Sequence, residues 1–296
     1  MYSKYKSIYI KKNYINTFRK NMIPRIIHQT WSDNLLPSII SDIRETNINL
    51  LKSKGYEFKF WTDKDIRMLI DEHYPDFSYI YNLSKTGVQR GDISRIILVY
   101  HFGGIYIDLD VLILRDFDEI IDMNTDMFYI TYEPSGQTLA LYNSNKYICN
   151  AFFASNKNNI FVNKLLRCIP DTIKKYGVNI FNKFDVFGGA YIKTIIDKYS
   201  NEYSDNIYII EDRELIFPIN DLKFDGLSFT INDWTCLKNG KYQCNPIMVH
   251  YWIHGDFESK KLLNTFVTNK KENIHVNIYN FFKTLYPHIA KKIENI

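Results

Sequence analysis

The sequence predicts an α/β fold with a mainly parallel central sheet flanked by helices. Three observations carry this. Strand-like and helix-like patterns alternate from residue 25 to residue 111. A double glycine, Gly103-Gly104, separates a helical pattern from an alternating one. Trp31, Asp63 and Asp108 with Asp110 all sit at the ends of predicted strands, where ligands collect in open parallel sheets.

Residues 25–31 read as a short buried strand, and residues 38–53 carry a helical period. Glu57 to Trp61 give a second strand, and Lys64 to Glu72 suit a helix. Next comes the most informative stretch, Val88 to Val111. Ile93, Ile96, Ile97 and Tyr100 fall at i, i+3, i+4, i+7, the spacing of a buried helical stripe. Asp92 and Arg95 lie three apart on a different face, close enough to interact. Gly103 and Gly104 stop this helix, because glycine accepts the left-handed backbone that helix ends often need. The strand that follows is expected to alternate, with Ile105, Ile107, Leu109 and Val111 on one face and Tyr106, Asp108 and Asp110 on the other. Beyond Asp118 the pattern gives strands at Phe128–Tyr132, Tyr208–Ile210 and Ile247–Trp252, and helices at Asn159–Cys168 and Ala190–Tyr199. Residues 220–245 read as loop-rich, a candidate lid or acceptor-binding insertion. Residues 1–22 form a basic segment with Lys4, Lys6, Lys11, Lys12, Arg19 and Lys20 and no acid. The expected organisation is this segment followed by one domain over 23–296.

Asp108 and Asp110, aimed at one point, repel unless a cation lies between them. A hard divalent ion with oxygen ligands is the natural occupant. An isolated Asp-x-Asp is also common at solvated strand ends, and an exposed Asp92/Arg95 pair would be worth little. A calcium loop fails, because Leu112 and Leu114 stand where further oxygen ligands are needed. The conjunction of polar pair, Gly-Gly stop, apolar strand and paired acids is what favours a site.

Composition fits a globular enzyme: 46% hydrophobic and 24% charged residues are ordinary values for such chains. The formal charge of +4 is mild, so nucleic acid is not an expected partner, and the basic segment allows only weak contact with a membrane surface. No apolar run reaches the roughly eighteen residues of a membrane span, and no signal-peptide pattern opens the chain. Cys149, Cys168, Cys236 and Cys244 form no Cys-x-x-Cys pair, so free thiols and a cytoplasmic location are expected, in a host cytoplasm or virion if the source is viral; a Cys236–Cys244 disulfide is the alternative.

The run Asp92, Arg95, Gly103-Gly104-Ile105-Tyr106 and Asp108-Leu109-Asp110 resembles the core of glycosyltransferase family 32, which includes fungal Golgi initiation mannosyltransferases and bacterial capsule enzymes and is related to clostridial glucosylating toxins. Ile23 to Trp31 resembles that family's opening strand and Phe60-Trp61-Thr62-Asp63 its next one. Cys149 to Ser155 and Val249 to Trp252 resemble later blocks. The resemblance implies a GT-A-type, Rossmann-like nucleotide-sugar-binding fold and metal-dependent, retaining transfer of a hexosyl group from a UDP- or GDP-sugar to a glycan, lipid or protein. It implies Mn²⁺ or Mg²⁺ on Asp110 and Asp108, with Asp108 sharing the ion or holding the ribose. His250 would be a third ligand, or a core histidine within the apolar run Met248 to Ile253. Trp31 would stack on the base, or fill the core. Asp92 and Arg95 would hold donor hydroxyls and phosphate, Arg95 through its planar fork, and are grouped with Asp108 and Asp110 as the catalytic set. Asn150 would touch the sugar or cap a turn, and Thr30, Asp63 and Tyr106 would line the donor site. Gly188-Gly189 would let backbone approach the substrate, or form a simple turn. His254-Gly255-Asp256-Phe257 departs from the family's usual ending. Three rivals remain: a nucleotidyl- or phosphotransferase using the same acids, a non-catalytic carbohydrate-binding protein, and a glycoside hydrolase. Hydrolysis is disfavoured, because its two carboxylates must flank the bond.

Overall fold

The computed structural model describes residues 22–183, 186–221, 231–242, 244–253 and 257–294. The chain runs β1 (Ile26–Trp31), α1 (Ser38–Leu51), β2 (Glu57–Thr62), α2 (Asp63–His73), α3 (Pro75–Leu83), α4 (Gly87–Phe102), β3 (Gly104–Ile107), β4 (Val111–Ile113), β5 (Phe128–Tyr132), α5 (Ser135–Tyr142), β6 (Ile148–Ser155), α6 (Ile160–Tyr176), α7 (Gly189–Tyr199), β7 (Ile207–Ile210), α8 (Arg213–Ile216), α9 (Ile231–Asn239), β8 (Met248–His250), α10 (Phe257–Thr265), α11 (Ile274–Leu285) and α12 (Pro287–Glu294).

Six strands form one sheet in the order β2-β1-β3-β6-β5-β7, and β4 pairs with β8 in a second, two-stranded sheet. β1 is parallel to β2 and β3, and β5 is parallel to β7. β6 is antiparallel to both its neighbours. Five strands therefore share one direction and β6 is reversed, which makes the expected α/β class with a mainly parallel sheet the observed one. The reversal matters for the site. It brings the first residues of β6 to the end of the sheet where β3 finishes.

Side-chain alternation divides the sheet's two faces. Tyr106, Phe128, Ile130 and Phe153 pack with α2, α4, α6 and α7 on one side. Ile27, Ile105, Ile107, Tyr129 and Phe152 pack on the other side against Val111, Ile113 and Met248 of the small sheet. The small sheet's opposite face, Leu112 and Val249, is covered by Ile39, Ile40 and Ile43 of α1, Trp234 and Leu237 of α9, and α11. The segment expected to be loop-rich thus holds a helix anchored in the core. Residues 222–230 of it lie outside the described residues, as do the basic residues 1–21 and His254-Gly255-Asp256.

One expectation fails in an instructive way. The strand from Ile105 does not run on to Val111. It ends at Ile107, and Asp108 to Val111 form a turn closed by the Val111 N–H on the Asp108 carbonyl at 3.2 Å. The turn moves the chain from the large sheet to the small one, so Leu109 joins the third core cluster rather than the face of Ile105 and Ile107. The two acids converge through a turn, not through the pleat. In α4 the residues from Asp92 to Val99 are all buried, so Asp92 and Arg95 are not an exposed surface pair; that reading of them fails, and their enclosure beside the acidic turn stands.

Gly103 and Gly104 earn their places sterically. Their φ values are +70° and +105°. A Cβ on Gly104 would stand 2.5 Å from the Ile26 carbonyl oxygen, and one on Gly103 would stand 2.6 Å from the Lys157 nitrogen. Gly189 is different. Its added Cβ would meet the Ile148 carbonyl at 2.0 Å, so the missing side chain lets α7 pack closely on β6.

His28 ties this end of the sheet together. Trp61 Nε1–H donates to its Nδ1 at 3.1 Å, and its Nε2 contacts the Gly103 carbonyl at 2.9 Å. An indole can only donate, so Nδ1 must accept and Nε2 carries the proton. The neutral ring satisfies both neighbours, and a second proton would face the indole N–H. Burial pushes the imidazole down to about 4. Between the unfolded value of about 6.5 and that figure the unfolded chain binds the extra proton and the folded chain does not. Stability therefore falls as pH drops through this window, by roughly 3 kcal/mol in all. Denaturant unfolding at pH 7 and pH 4.5 is expected to show that loss in the wild type and a shallower slope in His28→Gln.

Candidate active site

The C-terminal edge of β1, β2, β3 and β5 and the start of β6 surround a network centred on Arg95. Its Nη1 donates to the Asn150 carbonyl at 2.6 Å and lies 3.5 Å from Asp108 Oδ1. Its Nη2 lies 3.6 Å from Asp92 Oδ1, its Nε donates to the Gly91 carbonyl at 3.3 Å, and the guanidinium sits 4.9 Å from the centre of the Tyr106 ring. Asn150 Nδ2 donates to Asp92 Oδ1 at 2.9 Å. Arg95 is 7% exposed and Asp92 1%. Such charges are tolerable only because they are paired and hydrogen-bonded.

The network continues through Tyr106. Burial raises its phenol pKa strongly, so the hydroxyl keeps its proton and donates to Asp108 Oδ1 at 2.7 Å. Thr30 Oγ1, 3.1 Å away, then donates to the Tyr106 oxygen. Asp108 is held from two directions, by a phenol and a guanidinium.

Asp110 is held from the other sheet. Pairing of Val111 with His250 across β4 and β8 sets the imidazole beside the turn. His250 Nε2 lies 3.2 Å from Asp110 Oδ1, and the Ile253 N–H donates to Asp110 Oδ2 at 2.7 Å. The backbone of Trp252 makes this possible. Its φ is +53°, an unusual value for a bulky residue. The Tyr251 N–H donates to the Asp110 carbonyl, and the reversal at Trp252 then turns the Ile253 N–H onto the Asp110 carboxylate. Trp252 is fixed by packing at a tilt of 36° with its ring 4.0 Å from that of His250 and by donating from Nε1 to the Ile219 carbonyl. Burial alone would push the Asp110 carboxyl up, but His250 and the Ile253 N–H hold it below the usual range. Burial alone would lower His250, but Asp110 raises it.

Asp108, Asp110 and His250 each offer a ligand atom, all within 4.8 Å of one another. His250 Nδ1 is buried without a hydrogen-bond partner among the described residues. Two carboxylates and one imidazole suit an intermediate ion such as Mn²⁺ better than the all-oxygen shells of calcium. Asp108 is the most open of the three, with its side chain 26% exposed against 12% and 8% for Asp110 and His250, so a ligand would approach from its side.

Thr30, Asp92, Arg95, Tyr106, Asp108 and Asn150 thus form one connected network, and Asp110 with His250 adjoins it through the turn. Two predicted donor residues stand apart from it. Asp63 accepts from Arg90 Nε at 2.8 Å, while its backbone N–H donates to the Ser32 carbonyl at the end of β1. Trp31 is half-buried against the third core cluster. Arg90 and Trp252 are not singled out in the sequence as site residues, although Trp252 ends the block Val249 to Trp252. All four cysteines are unpaired.

Residues 11–126 match the family model for the glycosyltransferase sugar-binding region containing a DXD motif. Inositol phosphoceramide mannosyltransferase 3 of Schizosaccharomyces pombe is 37% identical over 99 residues, 33% of this chain and 27% of that protein. An uncharacterized glycosyltransferase of Acanthamoeba polyphaga mimivirus is 26% identical over 260 residues, 84% of this chain and 90% of that one. Among solved structures, the UDP-bound glycosyltransferase domain of the YGT toxin aligns with a TM-score of 0.45 at 10% identity, over 76% of this chain and 88% of that one. The sequence matches relate the chain to the DXD-motif glycosyltransferases, fungal mannosyltransferases among them. The chain spans from about a quarter to under half of the length of the fission-yeast mannosyltransferases. Among the described residues no helix is long and apolar enough to cross a membrane.

Removing Arg95 would leave the buried Asp92 carboxylate without the guanidinium beside it. Arg95→Met is expected to lose about 3–5 kcal/mol in equilibrium unfolding. Adding Asp92→Asn is expected to restore a good part of that loss, which a double-mutant cycle measures directly.

Proposed function

We propose that this chain is a metal-dependent, retaining glycosyltransferase of family 32, which moves a hexosyl group from a UDP- or GDP-sugar to a hydroxyl of a glycan, lipid or protein. The observation that carries this reading is the convergence of Asp108, Asp110 and His250 beside the Arg95 network. In this account residues 23–296 act as one GT-A-type catalytic domain, with 220–245 contributing to the acceptor side.

Asp110, Asp108 and His250 would hold a divalent ion, which when bound supplies charge neutralisation for the departing diphosphate. The remaining work falls to the chain's own groups. Arg95 adds a fixed positive charge beside the phosphates, and it costs no reorganisation because Asp92, Asn150 and Tyr106 already hold it. Asp92 and Asn150 face the donor sugar, Tyr106 keeps Asp108 oriented toward the ion or the ribose, and Trp31, Thr30 and Asp63 line the nucleoside side. The acceptor oxygen bonds to the anomeric carbon as the bond to the diphosphate oxygen breaks, and the acceptor's proton passes to that oxygen on the same face. Four unpaired thiols favour a reducing, cytoplasmic setting.

Product analysis tests the reading. With Mn²⁺ and a panel of UDP-glucose, UDP-galactose, UDP-N-acetylglucosamine and GDP-mannose, the wild type is expected to release nucleoside diphosphate from at least one donor. Asp110→Ala is expected to lose that activity by about a hundredfold or more. Release of pyrophosphate from a nucleoside triphosphate instead would identify a nucleotidyltransferase. Full activity in chelator would reject the metal assignment.

A further inference from the structure

The connection between β5 and β6 has no role in the account above, and it stands at the end of the sheet where the site lies. β6 begins at Ile148 and carries Asn150, whose side chain and carbonyl meet Asp92 and Arg95. Tyr147 precedes this strand, about 10 Å from Asn150 along an extended chain, and its carbonyl accepts the Glu133 N–H at 2.8 Å. The Tyr147 ring lies at the start of α7, where a Cβ added to Gly189 would stand 3.3 Å from Tyr147 Cε1. α4 and α7 cover the same face of the sheet. The tyrosine and the Arg95 network therefore share one face and one end.

Tyr142, the last residue of α5, closes on Tyr147. The two rings are 4.0 Å apart with 7° between their planes, closer and flatter than unconstrained aromatic pairs prefer. The backbone sets this. Asn143 has a φ of +48°, and its N–H returns to the Leu139 carbonyl at 3.2 Å, which turns the chain sharply after Tyr142. Arg213 fixes the rest of the connection. Its guanidinium lies 4.8 Å from the centre of the Tyr132 ring, its Nη1 donates to the Glu133 carbonyl at 3.2 Å, and its Nη2 donates to the Asn145 carbonyl. Tyr147 is half-buried, whereas Tyr142 is 46% exposed. The inner face of Tyr142 is covered by its partner, so its exposure falls on the outer face and edge.

The surroundings of this shelf decide what it fits. From Pro134 to Tyr147 the sequence carries one charge, Lys146, amid Ser135, Asn143, Ser144 and Asn145. An anionic ligand would find one cation there. A fatty chain would find one exposed leucine, Leu139, among amides and hydroxyls. A flat aromatic face bordered by uncharged hydrogen-bonding groups suits a neutral sugar instead. The negative face of the ring attracts the polarised C–H groups of a pyranose, and amides and hydroxyls can serve its hydroxyls. Because the shelf is already held in place, little is lost in ordering it around a ligand. We infer that Tyr142, backed by Tyr147, is the stacking platform of an acceptor subsite, and that its ligand is the pyranose ring of a glycan or glycoside. The inference rests on the transferase reading above and narrows its acceptor to a sugar.

Binding and turnover test this separately. Methyl glycosides of glucose, galactose, mannose and N-acetylglucosamine are titrated into the protein with Mg²⁺ and UDP or GDP. Saturation-transfer NMR reads the Kd and shows which sugar protons lie on the protein. At least one glycoside is expected to bind through the C–H groups of one ring face. Tyr142→Ala is expected to raise its Kd, and the KM for its transfer, by about threefold to tenfold, with nucleoside diphosphate affinity in calorimetry unchanged. Tyr142→Trp keeps a flat ring and is expected to retain binding, whereas Tyr142→Leu keeps only apolar bulk and is expected to lose it. A merely structural side chain would not sort these two by flatness. Wild type that binds none of the glycosides, glycoside binding that Tyr142→Ala leaves unchanged, or nucleotide binding weakened as much as glycoside binding would overturn the platform. Glycoside binding that depends on Tyr142, in a protein that turns over no nucleotide sugar, would instead sink the transferase reading and with it the acceptor role, leaving a sugar site.

Discussion

A single buried guanidinium holds the candidate site in place. Arg95 touches α4 through Asp92 and Gly91, β6 through Asn150, and the acidic turn through Asp108. Each of these elements carries a residue that the proposed chemistry needs. An arginine suits the position because its planar fork can meet several acceptors at once, whereas a lysine offers one point charge. The cost of burying charge in α4 is offset only while every partner stays, so the packing of the core and the geometry of the site depend on the same contacts.

The second constraint is the crossing between sheets at Asp108 to Val111. A continuous strand would have kept both acids in the large sheet, far from anything that β8 carries. The turn instead delivers Asp110 to the small sheet, where Val111 pairs with His250. The candidate ligand atoms of residues 108, 110 and 250 thus meet because of strand pairing and one positive φ at Trp252. Strain of this kind persists only where surrounding contacts over-determine it, and here the indole is fixed by His250, Phe217 and the Ile219 carbonyl.

Much of this was legible in the sequence, for definite reasons. Hydrophobic period and the Gly103-Gly104 stop give α4 and β3, because both follow from local geometry. Asp92, Arg95 and Asp108 were named, and the structure links them. What local pattern could not give was their burial. The helical period of α4 marks one apolar stripe, but α4 is covered by the sheet on one side and α6 on another, so its polar residues are enclosed too. Nor could alternation reveal the end of β3, since Leu109 and Val111 satisfy the pattern while serving different clusters. The role of Trp252 escaped for a related reason: its position depends on contacts with Ile219, Phe217 and His250, and long-range pairing leaves no periodic trace.

The central claim is that the acids of the turn and His250 of β8 share one ion. Electron spin-echo spectroscopy of the Mn²⁺-loaded protein tests it most directly, because a bound imidazole nitrogen modulates the echo. The account predicts one such nitrogen in the wild type, lost in His250→Gln while that variant remains folded. A Mn²⁺ signal without nitrogen coupling, or one that His250→Gln leaves unchanged, would contradict it.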